Sequence, residues 1–339
     1  MFKMHGFNSI PSRTLIILGL ASICWTAPAI PLSQSVISNA GGGLSNAPDP
    51  TNISQTAIDG FTIANFIENV EAAFFTTALA NFTSDSSFSG AKVNGISLSD
   101  VVTKVAAQEA VHVATIETLL TSNGAKTVAP CKYTFPVSNT NDFLLQANVI
   151  TSASIGAVNA LTALIAQSDP DLVTSTSSII TIEARHDAFF RIAVAQVPNP
   201  TPFDTPLSPT YAFNLVLAFV EPASCPQLPD LPVLPQLTVA SQSPATTLGG
   251  PAMMPTSVTF AFDSSLEVNS AKLFVGWLNQ DNQPAYTKLT VDSAGKGTAD
   301  VPAGLNGMAF AAITNQSSET TVDGLTAATV AGPVAIVIS

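Results

Sequence analysis

This chain is poor in the side chains that usually carry chemistry. Its 339 residues include only three histidines, three cysteines, three tyrosines and two tryptophans, and 10% of residues are charged. The amino terminus removes some of these. Lys3, His5 and Arg13 precede an apolar run from Leu15 to Trp25 and then Ala27-Pro28-Ala29, the order expected of a secretory signal peptide cleaved after Ala29. The run is too short for a comfortable membrane span. Its loss leaves His112 and His186, together with Cys131 and Cys225. A Ser-His-Asp hydrolase needs a histidine free to serve the serine, and both survivors belong to a different pattern. The two cysteines each adjoin a proline in a loop-like segment, and an even pair in an oxidising compartment reads as one disulfide.

Basic side chains are scarce as well. There are 11 Lys and Arg against 23 Asp and Glu, and loss of Lys3 and Arg13 leaves 9 basic residues and a charge of about −14. Such a surface is a poor partner for nucleic acid or anionic membrane. Sequons at Asn52, Asn81 and Asn315 fit a secreted glycoprotein.

Residues 30–55 are rich in Ser, Asn, Gly and Pro and read as a flexible lead-in. Gly41-Gly42-Gly43 is no phosphate loop, because no strand precedes it and no lysine follows. From 56 to 226 the apolar spacing is helical. Helix A runs from about Ala57 to Phe82 with a stripe of Ile63, Phe66, Ile67, Val70 and Phe74. Helix B is capped by Ser97, stops at Gly124 and carries Val101, Val105, Val111 and Leu119 or Leu120 as its stripe. Helix C, about Asp142 to Gln167, has no charged residue from Phe143 onward. Its scattered Asn, Ser and Thr suit burial among helices better than lipid. After Ser168-Asp169-Pro170, helix D runs to about Val197. A short apolar fifth helix spans Tyr211 to Val220.

A Pro-rich linker, 227–236, follows. From 237 to 339 the period becomes two, in runs at Leu237–Ala240, Ser257–Phe262, Lys272–Leu278, Tyr286–Val291, Met308–Thr314 and Pro333–Ile338. Short strands at this spacing predict an antiparallel β-sandwich, Ig-like, as a second domain.

Each remaining histidine stands three residues after a glutamate, in Glu109-Ala-Val-His112 and Glu183-Ala-Arg-His186. On a helix, positions i and i+3 project from one face, so each pair can present a carboxylate oxygen and an imidazole nitrogen to one point. Each is half of a metal site. Arg185, Asp187 and Arg191 flank His186 on other faces and read as surface ion pairs. The Phe74-Phe75 and Phe189-Phe190 doublets read as core.

The segment from about Ile58 to Pro226 resembles the ferritin-like proteins, in particular a secreted fungal and plant group described as stress- or desiccation-related. The likeness rests on Phe66-Ile-Glu68-Asn-Val-Glu71-Ala-Ala-Phe74-Phe75, Gln108-Glu109-Ala-Val-His112, Ile182-Glu183-Ala-Arg-His186 and the tail Pro202 to Pro209. It implies an all-α four-helix bundle with a short fifth helix. It also implies metal ligation by Glu109, His112, Glu183 and His186, with Glu68 or Glu71 from helix A. The metal would be iron, with manganese and zinc as alternatives, and the role would be stress-related. One departure is plain: the family's helix C carboxylate falls near Thr151, and no Asp or Glu occurs between Asp142 and Asp169. A complete two-iron site draws a carboxylate from that helix.

Two readings follow. One is a secreted metal-binding protein with a partial di-iron-type site. The other is a non-catalytic extracellular or cell-wall scaffold without metal, whose β domain meets a wall polymer or a protein partner.

Overall fold

The computed structural model describes residues 31–46, 49–82, 86–243, 254–266, 272–293 and 295–339. The expected signal peptide, residues 1–29, lies outside them, as does Thr83 of the Asn81 sequon.

Four long helices build the first half. They are α2 (Gln55–Phe82), α4 (Leu98–Ser122), α5 (Thr140–Ser168) and α6 (Val173–Ala193), with a short α3 (Ser86–Ser89) after α2. Local chemistry sets their ends. The Ser54 hydroxyl accepts from Ala57 N–H at the start of α2 and itself donates to Asp169 at the α5–α6 corner. Ser97 caps α4 by accepting from Asp100 N–H, and Asn139 caps α5. Pro170 opens the single 3-10 turn between α5 and α6.

Two apolar clusters show how these helices run. One joins Ala57 and Phe61 of α2 to Ile116, Leu119 and Leu120 of α4, Leu161 and Ile165 of α5, and Leu172. The other joins Phe74 and Phe75 of α2 to Val102 and Val105 of α4, Phe143 and Leu144 of α5, and Phe190 of α6. Hence α2 and α6 run one way while α4 and α5 run the other, and residues 123–139 must cross the length of the helices between α4 and α5. That crossover is pinned on the way. Val128 exchanges hydrogen bonds with Asn65 and Asn69 of α2, and Cys131 forms a disulfide with Cys225.

The apolar stripe of α4 differs from the expected one. Val102 and Val105 are buried, whereas Val101 and Val111 are only half-buried. The face is rotated because it continues through Glu109 and His112 to Ile116, so polar residues occupy its middle. The lead-in also departs from expectation: α1 (Gln34–Ala40) is a helix capped by Ser33 and closed by Gly41 in the left-handed region at φ 85°. Lys104 and Gln108 of α4 donate to the carbonyls at its end. A hairpin of β1 (Lys92–Val93) and β2 (Ile96–Ser97) precedes α4.

Helix α7 (Pro209–Leu217) lies between the helices and the β-rich part. Phe213 meets Phe66 of α2 with ring centres 5.3 Å apart, and the same cluster includes Leu278, Phe310, Ala312 and Leu325. The Pro-rich stretch is therefore a packed strap, with Leu231 and Leu234 on this cluster and Asn214 bonding Pro232 and Leu234.

Among the described residues eight strands follow: β3 (Leu237–Ser243), β4 (Ser257–Phe262), β5 (Phe274–Leu278), β6 (Ala285–Lys288), β7 (Thr290–Ser293), β8 (Lys296–Asp300), β9 (Met308–Thr314) and β10 (Thr329–Val337). They form two antiparallel sheets, ordered β3-β4-β8-β7 and β10-β9-β5-β6. Residues of both sheets, among them Phe260, Trp277, Ala299, Ile313 and Ile336, share one apolar cluster. The run read as one strand, Tyr286–Val291, is two strands in different sheets, because Leu289 between them turns inward and is fully buried. The short β8 and the helix α8 (Val322–Ala327) carry too little apolar alternation to be read from sequence.

Candidate metal centre

Along every long helix the two apolar clusters are separated by a polar layer. Glu68 and Glu71 of α2, Glu109 and His112 of α4, Thr151 and Ser154 of α5, and Glu183 and His186 of α6 all lie in it, and none is more than 8% exposed. Helical spacing put them there. Each long helix carries its polar pair three residues apart within an otherwise apolar face.

The imidazoles turn the same atom inward. His112 Nδ1 lies 3.0 Å from Glu109 Oε2, 3.1 Å from Glu183 Oε1 and 3.4 Å from Glu68 Oε2. His186 Nδ1 lies 3.0 Å from Glu109 Oε1 and 3.4 Å from Glu183 Oε2. Glu109 and Glu183 thus each give one oxygen to each imidazole. The other side of His186 is fixed by Gln108, whose Oε1 accepts from Nε2–H at 2.8 Å while its amide donates to Ala40 O. Gln108 was visible in the sequence only as the residue before Glu109, and its reach across to α6 carried no sequence signal.

Most of these close pairs are not hydrogen bonds. The oxygens of Glu68, Glu71 and Glu183, one oxygen of Glu109 and His186 Nδ1 are buried with no hydrogen-bond partner. Unsatisfied buried polar atoms in such number are costly for a protein alone. Ligands bound at about 2.1 Å and set about 90° to 110° apart lie roughly 3.0–3.4 Å from one another. The observed spacings fall in that range, and one ligand atom each from Glu68, Glu109, His112 and Glu183 all lie within 4.8 Å of one another. The residues present therefore fit a cation, with a borderline-hard nitrogen and oxygen donor set suited to iron, manganese or zinc.

The electrostatics agree. Burial raises the Glu68 carboxyl to about 7 although His112 draws it down. Burial, then the charges of Glu183, Glu109 and Glu68, push Glu71 well above the usual carboxylate range. Burial opposes charge on the imidazoles too. It is outweighed by Glu68 and the other carboxylates at His112, which rises well above 6.5, and by Glu109 and Glu183 at His186, which rises to about 10. For Glu109, burial works upward, but His186 and His112 hold the carboxyl at about 2. Without a cation, the cluster retains protons in its place.

All six sequence-predicted positions thus meet in one layer. The flanking charges do not behave as expected. Arg185 is exposed, but Arg191 is 1% exposed and donates to Val197 O and Ser339 O, while Asp187 receives hydrogen bonds from Asn148 and Ser152. These residues join α6 to α5 and to the β-rich part, where the third face of α6 is covered. No curated protein matches the chain. The helical region that carries this layer, residues 56–196, matches the family model described as a ferritin-like domain.

Proposed function

We propose that this is a secreted, stress-related ferritin-like protein that binds a transition metal, iron in the first instance, at Glu68, Glu109, His112, Glu183 and His186. One observation carries the reading: buried carboxylate and imidazole groups from three helices converge, and most of their inward-facing atoms have no hydrogen-bond partner. His112 and His186 each present Nδ1, and Glu109 and Glu183 span both. Iron bound there would supply one-electron exchange with small oxidants. The chain's own part is to hold the donors rigidly, exclude water with the two apolar clusters and fix the His186 ring through Gln108. Secretion is supported by the leader sequence, by the Cys131–Cys225 disulfide and by the exposure of Asn52, Asn81 and Asn315, which we read as glycosylation sites.

Metal analysis of protein secreted into iron- and manganese-containing medium tests the reading. About one equivalent or more per chain is expected, and less than about a tenth removes it.

A scaffold reading draws on Thr151, which replaces the α5 carboxylate, and on the strand order of the β-rich part. We read sheets ordered β3-β4-β8-β7 and β10-β9-β5-β6 as the ABED and GFC arrangement of an Ig-like sandwich with β6 as an added strand, and Trp277 lies on β5. Such a module suits contact with a wall polymer or protein partner. The two readings separate on a metal-induced melting shift, which the scaffold reading requires to be absent and unaffected by His112→Ala with His186→Ala.

A further inference from the structure

The end of α1 reaches the polar layer through one side chain. Ala40, the last residue of α1, is buried, and its carbonyl is among those that a helix end leaves without an intrahelical partner. Two side chains of α4 take it up. The Gln108 amide donates to Ala40 O at 3.2 Å, and Lys104 Nζ lies 3.5 Å from the same oxygen and 3.1 Å from Asn39 O. A cation and an N–H donor both suit the negative end of a helix. Of the seven residues of α1 only Ala40 is buried, so these contacts carry much of its hold on α4.

A carbonyl oxygen can only accept, so Gln108 must turn its NH2 toward Ala40 and its Oε1 the other way. That oxygen lies 2.8 Å from His186 Nε2 and, as an acceptor, requires a proton there. A neutral imidazole with its proton on Nε2 keeps a lone pair on Nδ1. Nδ1 is the atom that faces the centre, 3.0 Å from Glu109 Oε1 and 3.4 Å from Glu183 Oε2. Turned over, Gln108 would offer NH2 to Nε2, send the ring proton to Nδ1 and block the ligating atom.

We infer that α1 controls the metal centre through Gln108. Docked on α4, it holds Gln108 in the orientation that keeps Nδ1 of His186 free for a cation; undocked, it lets Gln108 turn. Ala40 and Gln108 are positioning residues that act through His186. Docking of α1 and binding of the cation therefore favour each other by the same factor. The inference rests on the metal-binding reading above and adds its regulation by a helix that precedes the four long ones.

The test uses the full chain, stripped by chelator and titrated with Zn(II) against a chelating dye. Hydrogen exchange of the Gly42 amide, which donates to Ile37 O at 3.1 Å, reports on α1. Two changes at exposed positions loosen α1, singly and together: Lys104→Gln removes a donor, and Gly41→Val puts a branched side chain at φ 85°. The double variant should exchange Gly42 faster and bind Zn(II) about 3- to 10-fold more weakly, the effect of one hydrogen bond. In wild type Zn(II) should slow that exchange by a similar factor. Gln108→Glu separates positioning from mere support. Both carboxylate oxygens accept, so either orientation keeps the proton on Nε2, and in this background the α1 changes should alter Zn(II) affinity less than about twofold. Three results overturn the inference and leave the metal-binding reading intact: Gly42 exchange in the double variant as slow as in wild type, faster exchange with less than a threefold loss of affinity, or an equal loss in the Gln108→Glu background. No uptake by wild type overturns both.

Discussion

Metal-free protein should lose stability as pH rises from mildly acidic to alkaline, and a divalent cation should restore it. His112, His186, Glu68 and Glu71 all hold protons more tightly in the folded chain than they would unfolded. A group of this kind favours folding fully below its unfolded pKa, and that contribution disappears as pH climbs through its folded pKa. For Glu68 the window runs from 4.5 to about 7, and for His186 from 6.5 to about 10. Taking the Glu68 carboxyl from 4.5 to about 7 corresponds to a loss of about 3 kcal/mol by the top of its window, at 1.36 kcal/mol per pKa unit. Glu109, held at about 2, has the opposite sign and matters only below pH 4.5. Against total stabilities of about 5–15 kcal/mol, a change of this size is easily resolved. The assay is urea denaturation of chelator-treated protein at about pH 5, 7 and 9, with and without Mn(II). The midpoint should fall with pH in the metal-free series. Added cation should lift it most at high pH, because binding displaces these protons. A metal-free midpoint that stays level or rises across that range would refute the reasoning.

Other outcomes can be checked alongside. Gln108→Leu should weaken metal affinity about 10- to 100-fold by freeing the His186 ring, as read by competition with a chelating dye, while the fold is kept. Phe143→Ala should cost about 3–5 kcal/mol in denaturant melts, because Phe143 stacks on Phe74 at 5.2 Å and meets Phe75 and Phe190 edge-on. Replacing both Cys131 and Cys225 by Ala should cost about 4–5 kcal/mol on chain-entropy grounds, since the bridge closes 94 residues, and an unchanged midpoint would show the crossover needs no pin. Gly156→Ala should destabilise by about 1–3 kcal/mol despite better helix propensity, because the added carbon would stand 2.6 Å from Thr205 O and 2.8 Å from Leu207 Cγ.

The helices were legible because their signals are local. Ser97 marks the start of α4 through a bond to Asp100 N–H made within one turn, Pro170 suits the first turn after the α5–α6 corner, and the Glu-x-x-His spacing puts each pair on one face whatever the rest of the chain does. The α4 stripe was misread for the same reason. Val101 and Val111 satisfy an apolar period, but the buried face runs through Glu109 and His112, whose burial depends on partners from α2 and α6. The helix α1 was hidden because the polar groups that fix its end, Lys104 and Gln108, lie far along the chain.

By itself, then, the sequence determined that two helices each carry a Glu-x-x-His pair, that α2 offers Glu68 or Glu71, that α5 brings no carboxylate to meet them, and that two cysteines remain to be joined. Tertiary structure alone decided that both imidazoles present Nδ1 to the same two glutamates, that Glu71 as well as Glu68 is closed off from water, and that α7 fuses the helices and sheets into one core. Spacing fixes the face on which a side chain sits. Only packing between distant segments decides which face becomes dry and which lone pairs meet there.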